Sequence, residues 1–303
     1  GTEPEYNNVD GTLWFVEAVR AYHEATRDDA FRRQVYPLLV EIVERHLRGT
    51  RFGIRADVDA LLSSGEPGQQ LTWMDAKVEG SVVTPRSGKP VEVQALWHNA
   101  LRIVALYAAD LGDAFTAARL LALADQARES FTALFWDDRV GWLADVVAPD
   151  GTRDLSLRPN QLFALSLHRP LVSGARAEKV LRVVEERLLT PYGLRSLDPQ
   201  HPDYRGRFQG GPSERDAAYH QGTTWPWLLG PLVDAHLAVR GNSPESRRVA
   251  STWLAPLVEH LFGPGLGLLP EVFDGDAPHR PGGCVAQAWS VGEVLRAVLR
   301  TGT

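Results

Sequence analysis

Two acidic segments, each set in aromatic, loop-like sequence, carry the residues best suited to chemistry. Asp75 sits in Gln70-Leu71-Thr72-Trp73-Met74-Asp75-Ala76-Lys77-Val78, with an indole and an ammonium beside it. An indole face buries a carboxyl and raises its pKa, while an ammonium such as Lys77 pulls the other way. A general acid needs a carboxyl still protonated near neutral pH. The plainer alternative is that Asp75 caps a turn and Trp73 fills the core. Far along the chain, Leu269-Pro270-Glu271-Val272-Phe273-Asp274-Gly275-Asp276 places three carboxylates within six residues. A solvated loop, or a cation site built from Asp274 and Asp276, is the alternative there. The spacing lacks the regular oxygen pattern of a calcium loop. One of these carboxylates facing Asp75 would supply the pair that glycoside hydrolysis uses.

Other segments mix aromatic faces with polar edges, as sugar recognition demands. Ala218-Tyr219-His220-Gln221-Gly222-Thr223-Thr224-Trp225-Pro226-Trp227 offers His220 and Gln221 as hydroxyl contacts and Trp225 and Trp227 as stacking platforms. Helix core is the competing role for both tryptophans, and a lone histidine is more often structural. Asp10, Trp14, Glu92 and Asn160 stand at the mouths of further helices. Asp10 and Asn160 could equally be N-caps, and Glu92 could simply favour a helix dipole. The sequence contains no glycine-rich phosphate loop, no GxSxG elbow and no HExxH pattern. Cys284 has no His–acid arrangement nearby to make it a nucleophile.

The elements that must position these residues are helical. Apolar residues recur at i, i+3, i+4 and i+7 over 12–26, 29–48, 91–111, 113–134, 158–168, 173–188, 217–240, 244–262 and about 284–300, which predicts nine helices. Residues 52–62 predict a small hairpin and 141–147 an extended segment. Links within helix pairs are short, which makes antiparallel neighbours. Links between pairs are long, roughly 49–89, 135–157, 189–216 and 263–283, and they hold most of the polar and aromatic candidates. Structureless loops of that length are usually functional. Alternating short and long links gather all the long loops at one end of stacked hairpins. The predicted fold is therefore an all-α toroid with one working face, read as a single domain over residues 1–303.

Composition bounds the function. The chain has 303 residues, 44% hydrophobic and 23% charged, which excludes intrinsic disorder. A net charge of -6 disfavours nucleic acid as a partner. No apolar run reaches the ~18 residues of a membrane span. The one cysteine excludes an internal disulfide. Cytoplasm is the default compartment, and the oligomeric state is open. Basic charge is almost all arginine, with only Lys77, Lys89 and Lys179 besides. That bias is read as genomic base composition.

These segments together resemble the amylo-α-1,6-glucosidase domain of glycogen debranching enzymes. The resemblance is carried by Tyr6–Phe15, Gln70–Lys77, Thr84–Glu92, Arg158–Gln161, Leu189–Arg195, Tyr219–Trp227 and Cys284–Ser290, in order along nearly the whole chain. It implies an (α/α)6 six-hairpin barrel and an inverting hydrolase that removes α-1,6-linked glucose without a cofactor or metal. It implies Asp75 as the acid and Glu271 as the base, with Asp274 or Asp276 within one loop's slack. Candidate substrate contacts are Asp10, Trp14, Trp73, Lys77, Glu92, Asn160, His220, Gln221, Trp225 and Trp227, against an α-glucan or oligosaccharide. Rival readings are another α/α-barrel glycosidase of trehalase or glucoamylase type, a non-catalytic carbohydrate-binding module, and a sugar epimerase. The epimerase would want two facing histidines, and only His220 is well placed.

An (α/α)6 ring takes twelve helices, against nine read here. The resemblance also leads one to expect upstream helices with a Gly-Arg-Asp loop, and in many bacterial relatives an N-terminal β domain. The expectation is therefore a C-terminal piece of a longer protein, with an apolar seam where the ring is open. Such a chain alone is expected to be weakly active or inactive and to associate through that seam. Wild-type turnover by this chain alone would overturn the expectation.

Overall fold

The computed structural model describes residues 6–302. Its helices are α1 (Gly11–Thr26), α2 (Asp29–Arg48), α3 (Val91–Asp110), α4 (Ala114–Phe135), α5 (Phe163–Ser166), α6 (Gly174–Arg187), α7 (Pro212–Tyr219), α8 (Leu229–Arg240), α9 (Pro244–Phe262) and α10 (Ala288–Thr301). Three of the four short links carry a side-chain cap for the helix that follows. Asp28 accepts the Phe31 N–H at 2.9 Å, Asp113 the Thr116 N–H at 3.1 Å, and Ser243 the Ser246 N–H at 3.1 Å. A side-chain oxygen at each N-cap thus satisfies one of the donors left over at a helix start.

Packing separates inner from outer helices. α1 packs on α3, α3 on α5, α5 on α8 and α8 on α10, while α2, α4, α6 and α9 pack behind them. α3 is buried on nearly every face, from Val91 through Leu101 and on to Ala108. An outer helix such as α6 buries only the stripe Ala177, Val180, Leu181 and Val184. The periodicity of 3.6 is strong where one face meets water and weak where none does. Among the described residues, five helices line the inside, four lie outside, and α7 belongs to the loop face. Apolar side chains remain exposed along α10, at Val291 (45%), Leu295 (56%) and Leu299 (74%).

The long loops are more ordered than the sequence predicts. Five short antiparallel strands form one sheet in the order Leu189–Thr190, Gly193–Arg195, Thr224–Trp225, Val272–Phe273 and Pro281–Gly282. Leu194 pairs with Trp225 and Thr224 with Phe273. A second ladder joins Lys89–Pro90 to Val146–Val147 and on to Arg153–Asp154. The predicted 52–62 hairpin is present as Arg55–Ala56 against Leu62–Ser63.

Three predicted helices need correction. The single helix over 217–240 is two, α7 and α8, with extended chain between. Gly222 takes φ +138, Thr224–Trp225 joins the sheet, and Pro226 has no N–H to continue a helix. The helix over 158–168 shrinks to a 3-10 turn, Pro159–Leu162, and the single α turn of α5. The last helix starts at Ala288 rather than 284, because residues 284–287 run back beside 269–271. The Glu271 N–H donates to the Cys284 carbonyl at 2.8 Å and the Gln287 N–H to the Leu269 carbonyl at 3.0 Å. The break between α7 and α8 leaves the candidates His220, Gln221 and Trp225 outside any helix.

Gly193 is the tightest point of the sheet. Its φ is +149, and a β-carbon there would be driven into the Trp225 carbonyl. Gly193→Ala is expected to cost about 2 kcal/mol or more, read as a lowered urea midpoint at unchanged slope. A midpoint within error of the unsubstituted chain would show that the sheet does not constrain this face.

Candidate active site

The loop face opens into a cavity of about 910 Å³ that contains both Asp75 and Glu271. Asp75 is exposed to this cavity rather than to the outer surface. The surrounding walls still strip water from its carboxyl and raise its pKa, and the nearby Glu271 carboxylate raises it further. Lys77 takes no part. It stands exposed on the Lys77–Val82 hairpin pair and does not line the cavity, which corrects its expected role as a sugar contact.

Glu271 is half-buried and precedes the strand Val272–Phe273. Its Oε2 accepts the Cys284 N–H at 2.9 Å and its Oε1 accepts the Gln287 side-chain amide at 2.8 Å. The Tyr219 hydroxyl faces it as well. Burial first, then Glu271, drives the Tyr219 pKa up. The other two acids of this loop turn elsewhere. Asp274, 2% exposed, accepts from the Phe208 N–H at 2.7 Å and the Gln209 amide at 2.8 Å. Asp276 accepts from the Tyr204 hydroxyl at 3.0 Å. Both fasten residues 204–209, and neither lines the cavity.

The cavity walls are aromatic. Trp73 stands edge-on to His220, Trp225, Trp227 and Trp289, with centroids 5.1–6.3 Å away. Trp227 stacks on Trp289 at 5.0 Å, and Trp14 meets Phe163 edge-on at 5.5 Å. His220 is wholly buried, stacked on Trp225 at 5.3 Å, with neither ring nitrogen hydrogen-bonded to protein. Burial, then Arg158 and Arg86, lowers its pKa to about 3, so the ring is a neutral part of the wall.

Besides His220, two of the candidate polar contacts reach the cavity. Asp10 begins α1 but makes no side-chain cap. It accepts the Trp73 backbone N–H at 3.1 Å instead. Burial, then Glu92, raises its pKa to about 6. Glu92 also lines the cavity and is clasped by Arg86 through both its oxygens. Asn160 and Gln221 do not reach it. Asn160 accepts the Trp73 indole N–H at 2.8 Å and donates to Asp145 at 2.8 Å. Gln221 accepts from Arg158 at 2.6 Å. Their polar groups are spent on holding the wall, so their expected role as sugar contacts is corrected to positioning.

Arg86, Asp145, Tyr219 and Trp289 are the residues to which sequence reasoning gave no role. Arg86 donates to Asp145 at 2.9 Å as well as to Glu92, with all three side chains almost wholly buried. Burial opposes its charge, but Asp145 and Glu92 more than offset that, and its pKa is raised. Asp145 had a legible signal: a lone carboxylate in Leu143-Ala144-Asp145-Val146-Val147 has to be buried and paired. Trp289 lies in the first turn of an amphipathic helix, two residues past Glu271's amide partner Gln287, and only the fold shows which way it faces.

A family model described as amylo-alpha-1,6-glucosidase matches residues 1–296. The glycogen debranching enzyme of Saccharomyces cerevisiae is 26% identical over 78% of this chain and 21% of its own length. The solabiose phosphorylase of Paenibacillus borealis is 27% identical over 77% of this chain and 31% of its own. This chain therefore spans less than a third of each of these relatives. A GH78 family rhamnosidase of Bacillus sp. GL1 superposes with a TM-score of 0.61 at 18% identity, over 96% of this chain and 26% of the rhamnosidase. The fold is of the (α/α)6 glycosidase type.

The Arg86 cluster yields a test. Arg86→Met leaves Glu92 buried without its cation and Asp145 with only Arg158, 3.8 Å away, and is expected to cost about 3–5 kcal/mol. Chemical denaturation reads this directly, and a loss under ~1 kcal/mol would mean that Arg86 is not holding these carboxylates.

Proposed function

Because the chain belongs to the amylo-alpha-1,6-glucosidase family, we propose that it hydrolyses α-1,6-linked glucose from glycogen-type glucans by inversion. Asp75, protonated, donates to the glycosidic oxygen. Glu271, ionised, takes a proton from the water that attacks the anomeric carbon on the opposite face of the ring. The observation that carries this reading is the unequal treatment of two carboxylates in one Trp-walled cavity. Desolvation raises the Asp75 pKa, which suits an acid, while Glu271 accepts two N–H donors that leave it oriented, which suits a base. Trp14, Trp73 and Trp289 supply faces for the sugar rings, with the buried Trp225 and Trp227 packed behind them, and Asp10 and Glu92 supply edges for hydroxyls. The chemistry calls for no cofactor. No described helix is long and apolar enough to cross a membrane, and a storage-glucan substrate goes with a cytoplasmic site.

The phosphorylase relative raises a second reaction, attack by phosphate in place of water. Phosphate at the anomeric carbon calls for unpaired cations near Asp75. The arginines lining the cavity are Arg20, Arg296 and Arg300, two to three helical turns down α1 and α10. They pair with Glu17 and Glu24, with Asp234 and Glu293, and with Asp234. A carboxylate, Glu271, stands in the region that phosphate would enter. Hydrolysis is the better fit.

A panel of α-1,6-branched maltooligosaccharide, linear maltooligosaccharide and trehalose, with and without phosphate, separates the readings. The expected result is phosphate-independent glucose from the branched substrate, appearing first as the β anomer by NMR. Asp75→Asn and Glu271→Gln are each expected to lower kcat by ~10²–10⁴-fold. Activity needs Asp75 protonated, so its raised pKa carries the basic limb of kcat/KM above the ordinary carboxylate range. Unchanged kcat in Asp75→Asn would end the acid assignment. Sugar binding with no hydrolysis in any variant would leave a binding module.

A further inference from the structure

A general base works only if its carboxylate keeps one orientation toward the attacking water. Glu271 sits on a loop between α9 and α10, so something other than a helix must fix it. Its backbone is tied down by the Cys284 carbonyl, and its Oε2 by the Cys284 N–H. Its Oε1 depends on Gln287, whose amide is itself held. The Gln287 Oε1 accepts the Ala288 N–H at 3.0 Å, at the first residue of α10. An amide carries its oxygen and its NH2 on opposite prongs. With the oxygen fastened to the helix start, the NH2 is aimed at Glu271, 2.8 Å away.

We infer that Gln287 is the positioning residue of the base, transmitting the fixed start of α10 to the Glu271 carboxylate. The inference rests on Glu271 being the base. The two N–H donors take one lone pair on each oxygen and leave further lone pairs of the carboxylate for an attacking water. The ionisable groups facing Glu271 among the described residues are Asp75 from the first long loop and Tyr219 from α7.

The test uses Gln287→Glu and Gln287→Met in the full chain, assayed on α-1,6-branched maltooligosaccharide from about pH 4 to 9. Gln287→Glu keeps an acceptor for the Ala288 N–H and exchanges the NH2 for a second carboxyl facing Glu271. The two carboxyls then share a proton, and the base is freed only at higher pH. The expected result is an acid limb moved up by about one unit, with kcat lowered by up to about tenfold at the acid end of the profile and KM within threefold. Gln287→Met, which only removes the donor, is expected to lower kcat at unchanged KM. An acid limb and kcat at wild-type values in both variants would overturn the inference. So would losses that merely follow the folded fraction by circular dichroism. Glu271→Gln as active as wild type would instead overturn the base assignment itself, whatever the Gln287 variants do.

Discussion

The Arg86 guanidinium has no route to water, and much of the loop face is built around that fact. Glu92 at the start of α3 and Asp145 from the second long loop close on it from two sides. A buried charge of this kind is tolerable only with its partners in place. Asp145 then takes Asn160, Asn160 takes the Trp73 indole, and the Trp73 backbone takes Asp10. Four segments far apart in sequence are joined by one relay of donors and acceptors. Trp73 lies two residues from Asp75, so the relay that satisfies a buried arginine also sets where the acid stands.

The two carboxylates proposed to act as acid and base sit on different supports, and the difference suits that proposal. Asp75 projects into the cavity with few donors, where lost hydration favours its proton. Glu271 is clasped at the edge of the sheet by a backbone N–H and a side-chain amide. Neutral walls between them matter as much as the acids. His220 carries no charge at any working pH, so the cavity gains no cation that would strip the proton from Asp75.

How much of this was legible in the sequence follows from the range of the forces involved. The helices α1, α2, α4, α6 and α9 announce themselves because a one-sided apolar stripe is a local pattern. The gathering of long loops at one end follows from counting short and long links. Asp75 and Glu271 stand out by the company they keep. The break between α7 and α8 is not local. Residues 217–240 have helical periodicity, but Thr224–Trp225 finds better partners in strands contributed by distant loops. Asn160 and Gln221 look like sugar contacts by type, and only the relay reveals that their hydrogen bonds are already committed. Asp274 and Asp276 could not be separated from Glu271 by spacing, because the answer lies in residues 204–209.

The same arrangement orders events in time. Helical hairpins close over turns of a few residues, so their contacts are cheap in chain entropy and form early. The cavity's contacts are of another kind. Trp73 meets Asn160 across 87 residues, and Thr224 pairs with Phe273 across the whole of α8 and α9. Each needs a large loop closed before any reward is felt. During refolding, helical signal therefore recovers ahead of the sugar site, and the chain passes through a stage in which the ring stands but its mouth is not yet assembled.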